Sequence, residues 1–254
     1  VDNTIIQVTK QVLETAMTLK AAGRDRREPK RREKMILQDR IRRILQRRFK
    51  RQAHKVRQYF EGMYPERKAI VPTGLLEDSE DEGVLIRLIL NAVNGGVVQF
   101  SESVSIGYDY SAVNMDAAEW AAAYAGELIG DVDETTLEAV QKAIELFITT
   151  PGMTIGDVMN ALPFGEDRAL RIAVTEITRA YAQGQILAGE ALRREYPDVK
   201  VVKTWFTNSD DLVCDICGPL DGAEVELEES FEGGIDEPPA HVNCRCWIQT
   251  RTRI

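Results

Sequence analysis

At 254 residues and 44% hydrophobic composition, the chain suits one large or two modest globular domains, with enough length to bury a self-sufficient core. Its net charge of −9 hides two opposed parts: residues 24–57 carry 16 Lys/Arg against 4 Asp/Glu, and the remainder 16 against 37. The longest apolar run, Val84 to Val93, is broken by Arg87 and Asn91 and falls short of the roughly 18 residues that span a bilayer, so a soluble chain without a membrane segment is expected.

The opening Val1-Asp2-Asn3-Thr4 has no basic start leading into an apolar core, so no secretory signal is read and a reducing compartment is expected. Ile5, Val8, Val12, Leu13, Ala16 and Leu19 repeat at helical spacing, which predicts a first helix from Thr4 to Ala22, ended by Gly23. A second, longer helix is predicted from about Pro29 to Tyr59, with Met35, Leu37, Ile41, Ile44, Leu45, Phe49 and Val56 as its apolar face and Arg or Lys on most other positions.

Tyr64-Pro65, Pro72-Thr73-Gly74 and the acidic run Glu77 to Glu82 predict an exposed loop. An apolar helix from Gly83 to Phe100 should be kinked or ended by Gly95-Gly96. Asp116 can cap a helix carrying Ala117, Trp120, Ala121, Tyr124 and Leu128, and Thr135-x-x-Glu138 reads as the capping box of another through Leu137, Val140, Ile144 and Phe147. Thr154-x-x-Asp157 opens a short helix ending at Leu162-Pro163. A last helix, from Glu166 or Asp167 to about Tyr196, carries Ala169, Ala173, Ala180, Gly184, Ala188 and Ala191, small residues that let another backbone approach. After Pro197 the pattern alternates, predicting short strands at Val199–Phe206, Ala223–Leu227 and Cys246–Thr252. The expected architecture is mainly α with a small C-terminal β element: a basic helical N-terminal arm (1–76), a helical body (77–196) and a metal-stapled β element (197–254).

All four cysteines fall in that last element. In Cys214-x-x-Cys217 a tight turn can aim both sulfurs at one point, and in Cys244-x-Cys246 a period of two puts both side chains on one face of a strand. Two such pincers, 26 residues apart, form a tetrahedral thiolate site of the structural zinc type with no position left for water. His241 stands three residues before Cys244, where it can replace one thiolate or support the site from outside. A disulfide or unligated-thiol reading stays open beside zinc.

The pattern Trp205-x-Thr207-x-x-Asp210-x-x-Val213-Cys214-x-x-Cys217-x-x-Leu220-Asp221-Gly222, closed by Phe231, Pro238-Pro239-x-His241-x-Asn243-Cys244-Arg245-Cys246, resembles the phage Mu F-like family of minor head, or head morphogenesis, proteins of tailed bacteriophages. Upstream, Arg168-Ala169-x-x-Ile172-Ala173-x-Thr175-Glu176-x-x-Arg179 is similar to the helix motif that precedes the cysteines in that family, although Val174 and Val242 depart from its pattern. The resemblance covers Thr154 to Trp247. It implies a virion component at the portal vertex inside the head, made in the host cytoplasm, with portal protein, major capsid protein and double-stranded DNA as partners.

For the basic helix two readings stand side by side. Arg31, Arg32, Lys34, Arg40, Arg42, Arg43, Arg47, Arg48, Lys50 and Arg51 can neutralise phosphates without reading bases, or can dock on an acidic protein surface. Asp167 with Arg171 and Glu176 with Arg179 read as helix-surface pairs, and Arg168, Arg171, Glu176 and Arg179 as structural or interface residues more than as a catalytic Arg-Glu set. Glu224-Val225-Glu226 resembles the acid pair of ADP-ribosyltransferases, but it runs on into Leu227-Glu228-Glu229 and reads as an exposed acidic strand or loop. With only His54 and His241 as imidazoles, no nucleophile motif beside either and no His-x-Glu with Pro-Cys-x-x-Cys, no enzymatic activity is expected. A DNA-binding protein outside any virion and a toxin-like enzyme are the alternatives.

Overall fold

The computed structural model describes residues 28–63, 72, 74–104, 107, 110–150, 152–208 and 210–253. The helix expected from Thr4 to Ala22 lies outside them. Five α-helices are described: α1 Arg31–Met63, α2 Glu82–Ser103, α3 Tyr110–Thr149, α4 Ile155–Ala161 and α5 Glu166–Glu195. Three strands follow: β1 Lys200–Phe206, β2 Glu224–Glu226 and β3 Trp247–Arg253. The mainly helical reading with a small C-terminal sheet holds.

The basic segment forms one uninterrupted helix of 33 residues, about 50 Å long. Its apolar face is buried: Ile41, Ile44, Leu45 and Phe49 share a core with Leu85 and Ile89 of α2, Ala121 and Leu128 of α3, and Ala173, Ile177 and Tyr181 of α5. Farther along, Val56 and Phe60 pack with Val140, Ile144 and Phe147 of α3 and Val158 of α4. Over these residues the basic segment is therefore part of the helical body and not an arm apart from it.

Two expected helix breaks do not occur. Gly95 and Gly96 lie inside α2, where a Cβ on Gly96 would stand 2.1 Å from the Tyr181 carbonyl oxygen and one on Gly184 of α5 would stand 2.0 Å from that of Val93. These glycines let two helix backbones touch and do not end the helix. Likewise α3 runs unbroken through Thr135. The Thr135 hydroxyl donates to the Asp131 and Val132 carbonyls, and that of Thr136 to Val132, so both back-bond within the helix and neither caps a new one. Asp116 pairs with Arg194 of α5 at 2.6 Å and does not start a helix. The capping box at Thr154 and Asp157 is present as read, each side chain bonding the other's backbone N–H.

α2 is long and apolar enough to cross a membrane by length and composition, yet half of its most apolar window is buried inside this protein. Its burial against α5 explains the apolar content.

The sheet has order β2-β1-β3 and is antiparallel throughout, with Lys203 opposite Val225 on one side and Thr250 on the other. The outer edge of β3 is covered by helix side chains. Gln185 of α5 donates to the Ile248 carbonyl at 2.9 Å and accepts from the Thr250 N–H at 3.2 Å and its hydroxyl at 3.0 Å. Gln99 donates to the same Ile248 carbonyl, and Ser103 to that of Thr250 at 2.7 Å. An edge strand is thus satisfied by buried polar groups, which docks the sheet on α2 and α5 in one register.

Candidate metal centre

Two loops bring the cysteines and His241 together. In the first, the Gly218 N–H bonds the Cys214 carbonyl at 2.9 Å and the Cys217 N–H points at the Cys214 sulfur at 3.4 Å. A 3-10 turn, Gly218–Leu220, carries the chain on. The second loop folds the Cys244 N–H onto the His241 carbonyl at 3.1 Å. Its turn needs Asn243 at φ 64°, a left-handed position that Asn tolerates better than most residues. Cys244 and Cys246 lie just ahead of β3 and not within it, but the alternation expected of them is kept: both are buried and Arg245 between them is not.

The sulfurs and the imidazole converge. Cys214, Cys217 and His241 form one group, and Cys217, Cys244 and Cys246 a second, each with its donor atoms within 4.8 Å of one another. The Cys217 and Cys244 sulfurs are 3.8 Å apart, close to the edge of about 3.8 Å for a tetrahedron with metal–sulfur bonds of about 2.3 Å. His241 Nε2 lies 3.1 Å from the Cys214 sulfur and 3.4 Å from that of Cys217. Its Nδ1 is 2.9 Å from the Val242 carbonyl, which can only accept, so Nδ1 carries a proton and, in the neutral ring, the Nε2 lone pair faces the sulfurs. All four cysteines are free thiols. These residues could hold a metal ion.

Electrostatics inside the cluster favours a cation. Burial pushes the Cys217 thiol up to about 12, and the neighbouring Cys244 sulfur adds to the rise. Cys244 is drawn down to about 5, chiefly because Cys246 donates its S–H to it, and that same bond drives Cys246 up. For Cys214 burial opposes ionisation, but the Cys217 N–H and other donors bring the thiol below its ordinary value. His241 is held above its ordinary value despite burial, by the Val242 carbonyl and the Cys244 and Cys214 sulfurs. Crowded sulfurs cannot all ionise alone in a half-apolar site, and a divalent cation among them removes that conflict.

The cluster is held from outside by α5. The Thr175 hydroxyl accepts from the Asn243 N–H at 2.8 Å while donating to the Arg171 carbonyl, and the Thr178 hydroxyl donates to the Cys244 carbonyl at 3.2 Å. Arg245 forms a two-pronged pair with Asp210 at 2.8 Å on each prong, which ties the two loops together. Underneath, Ala182, Trp205, Leu220, Phe231 and Ile248 pack around Cys217, Cys244 and Cys246. Thr175 was legible as part of a helix motif, but its contact with the cysteine loop was not, and Thr178 carried no signal. Gln185 was missed altogether, and its one signal is a polar residue on an otherwise apolar helix face.

The other motif residues are structural supports. Arg168 reaches the Thr135 and Thr136 hydroxyls and the Val132 and Pro163 carbonyls. Glu176 is bonded by the Tyr124 hydroxyl and lies 3.5 Å from Arg179, and burial raises its pKa. Glu224 accepts from Arg251 and Arg253, while Glu226 faces Lys200 at 3.1 Å.

Of the ten cations predicted as a binding face, three turn inward. Arg48 is buried against Asp133, Lys34 is buried against Glu28, and Arg51 pairs with Asp78 and Asp81. Their positions belong to the packed side of α1, where each guanidinium or ammonium finds a carboxylate. Arg31, Arg32, Arg40, Arg43, Arg47 and Lys50 are exposed, and Arg42 is half-buried beside Asp39.

Residues 135–249 match the family model described as Phage Mu protein F like protein. The matched stretch takes in α3 from Thr135 onward, all of α4 and α5, every cysteine and His241. No curated protein and no solved structure matches the chain.

Proposed function

From the similarity of residues 135–249 to Phage Mu protein F like proteins, we propose that the chain is a head morphogenesis protein of a tailed bacteriophage, a minor component of the virion head. The observation that carries this reading is the coincidence of the matched stretch with the Cys/His centre and with the α5 hydroxyls that hold it. The centre binds zinc as a staple. Of the two donor groups that share Cys217, one supplies Cys214 and His241 and the other Cys244 or Cys246, and drawing them onto one ion gives a closed tetrahedral set of three sulfurs and the His241 Nε2. With four protein donors no position remains for a reacting water. The ion ties two loops to a three-stranded sheet too small to hold itself.

The partners in this reading are the portal protein, the capsid interior and packaged duplex DNA. The exposed cations of α1 contact DNA phosphates without sequence preference. Two experiments test it. Mature particles should contain the chain, and it should copurify with the portal ring; its absence from both overturns the head reading. Duplex DNA of arbitrary sequence should bind in low salt and be lost steeply as salt rises, and binding that is absent or insensitive to salt removes DNA from the partners.

A further inference from the structure

Two helix faces on this molecule are written in opposite charge with the same spacing. On α1, the exposed positions Arg32, Ile36, Arg40, Arg43, Arg47 and Lys50 follow one another at three or four residues, which is a single stripe along the helix. On α3, Glu127, Asp131, Glu134 and Glu138 are exposed at the same spacing, and the next place before exposed Glu145 is taken by Lys142, the one cation on residues 110–149. Arg32 to Lys50 and Glu127 to Glu145 each cover eighteen helical steps, so each stripe is about 27 Å long.

Arg43 and Arg47 of the α1 stripe pair with Asp39 and Asp81, but among the described residues each stripe keeps charges that no ion pair uses. Among the described residues, Arg32, Arg40 and Lys50 have no ion-pair partner, and neither do Glu127, Glu134, Glu138 or Glu145. The α1 stripe also carries a shallow groove of about 450 Å³ lined by Arg32, Met35, Ile36, Asp39, Arg40 and Arg43. Met35 and Ile36 are 58% and 48% exposed there, so a partner would cover apolar area as well as charge.

We propose that a second copy of this chain occupies the α1 stripe with its α3 stripe, so that the protein self-associates through α1–α3 pairing between copies. One exposed ion pair contributes little, but a row of four or five matched pairs around an apolar pair gives a reversible, salt-sensitive contact. Every copy carries both stripes, so the pairing is either reciprocal, as in a two-fold dimer, or sequential, as in a ring or chain. The contact uses the same cations that would face DNA, so duplex DNA and a second copy compete for α1. The pairing itself does not depend on the head reading.

The test is charge reversal followed by mixing, with the metal-loaded full chain. One variant carries Glu127→Lys, Glu134→Lys and Glu138→Lys, and the other carries Arg32→Glu, Arg40→Glu and Lys50→Glu; these exposed positions leave the intramolecular pairs intact. Sedimentation velocity in about 0.05 M salt should show the wild type above monomer mass, returning to monomer in about 0.5 M salt. Each variant alone should be monomeric, because its two stripes now repel, and an equal mixture should associate again, because each variant's α1 then meets an opposite α3. A monomeric wild type in low salt, a reversed variant that still associates, or a mixture that stays monomeric overturns the proposal. The α3 variant keeps its α1 cations, so its duplex binding reports on the DNA reading separately from self-association.

Discussion

Replacing Gly184 by Ala should damage the molecule at the crossing on which its other contacts depend. The added Cβ would lie 2.0 Å from the Val93 carbonyl oxygen and 3.0 Å from the Val97 nitrogen, both backbone atoms of α2 that no rotamer change can move. An ordinary carbon–oxygen contact is about 3.3 Å, so the two helices must part by about 1 Å. That gap forfeits a quarter or more of the dispersion energy at each contact along the crossing, where Val93, Ile89, Ala180 and Tyr181 pack. Overpacking of this kind costs about 1–3 kcal/mol and more where backbone is the obstacle, while the better helix propensity of Ala returns about 1 kcal/mol. The expected net loss is about 3 kcal/mol, or a midpoint lower by roughly 6–12 °C for a chain of this size. Gly126→Ala is the internal control, since nothing lies within 4 Å of its Cβ position, and it should gain about 0.5–1 kcal/mol. Thermal and urea unfolding followed by circular dichroism measure both. A Gly184→Ala protein within about 0.5 kcal/mol of wild type would refute the close crossing of α2 and α5.

Asp133→Ala strands Arg48, whose side chain is 1% exposed, and should cost about 3–5 kcal/mol in urea unfolding, whereas Arg48→Met with Asp133→Leu should recover most of that loss; equal losses in both would speak against a buried pair. Thr175→Val removes the acceptor for the Asn243 N–H and should weaken metal binding about 10–100-fold in chelator competition while leaving the helical spectrum intact, and an unchanged affinity would remove Thr175 from the support of the loop. Glu176 is raised above its unfolded value by burial, so the stability it contributes is full below about pH 4 and is lost as pH rises through its folded pKa. Glu176→Gln lacks that loss and should gain stability relative to wild type as pH rises above about 4, and parallel stability curves would contradict the assignment.

Much of this architecture could be read from residues because local signals agreed with tertiary ones. The capping box at Thr154, the bounds of α5 and the alternation of β3 all follow from short-range spacing, whereas β1, the central strand, is buried on both faces from Val201 to Trp205 and does not alternate. The cysteine pincers were legible for the same reason, since two and three residues are enough to set the direction of a sulfur. The failures share a different cause. Gly95-Gly96 and Thr135 carry strong local signals for ending or starting a helix, and both were overruled by long-range contacts, Tyr181 in one case and the continuous apolar face of α3 in the other. Arg48 and Lys34 looked like solvent-facing cations because their carboxylate partners, Asp133 and Glu28, cannot be paired with them from spacing alone. Gln185 satisfies an edge strand more than sixty residues away, a bond that no local pattern announces.

A metal staple in the last element of the chain is tested most directly by zinc content together with X-ray absorption at the zinc edge, on protein purified under reducing conditions without chelator. One zinc per chain is expected, with a shell of three sulfurs and one nitrogen, the nitrogen vanishing in His241→Ala. A chain that is folded and metal-free, or whose cysteines are joined as disulfides, would contradict it.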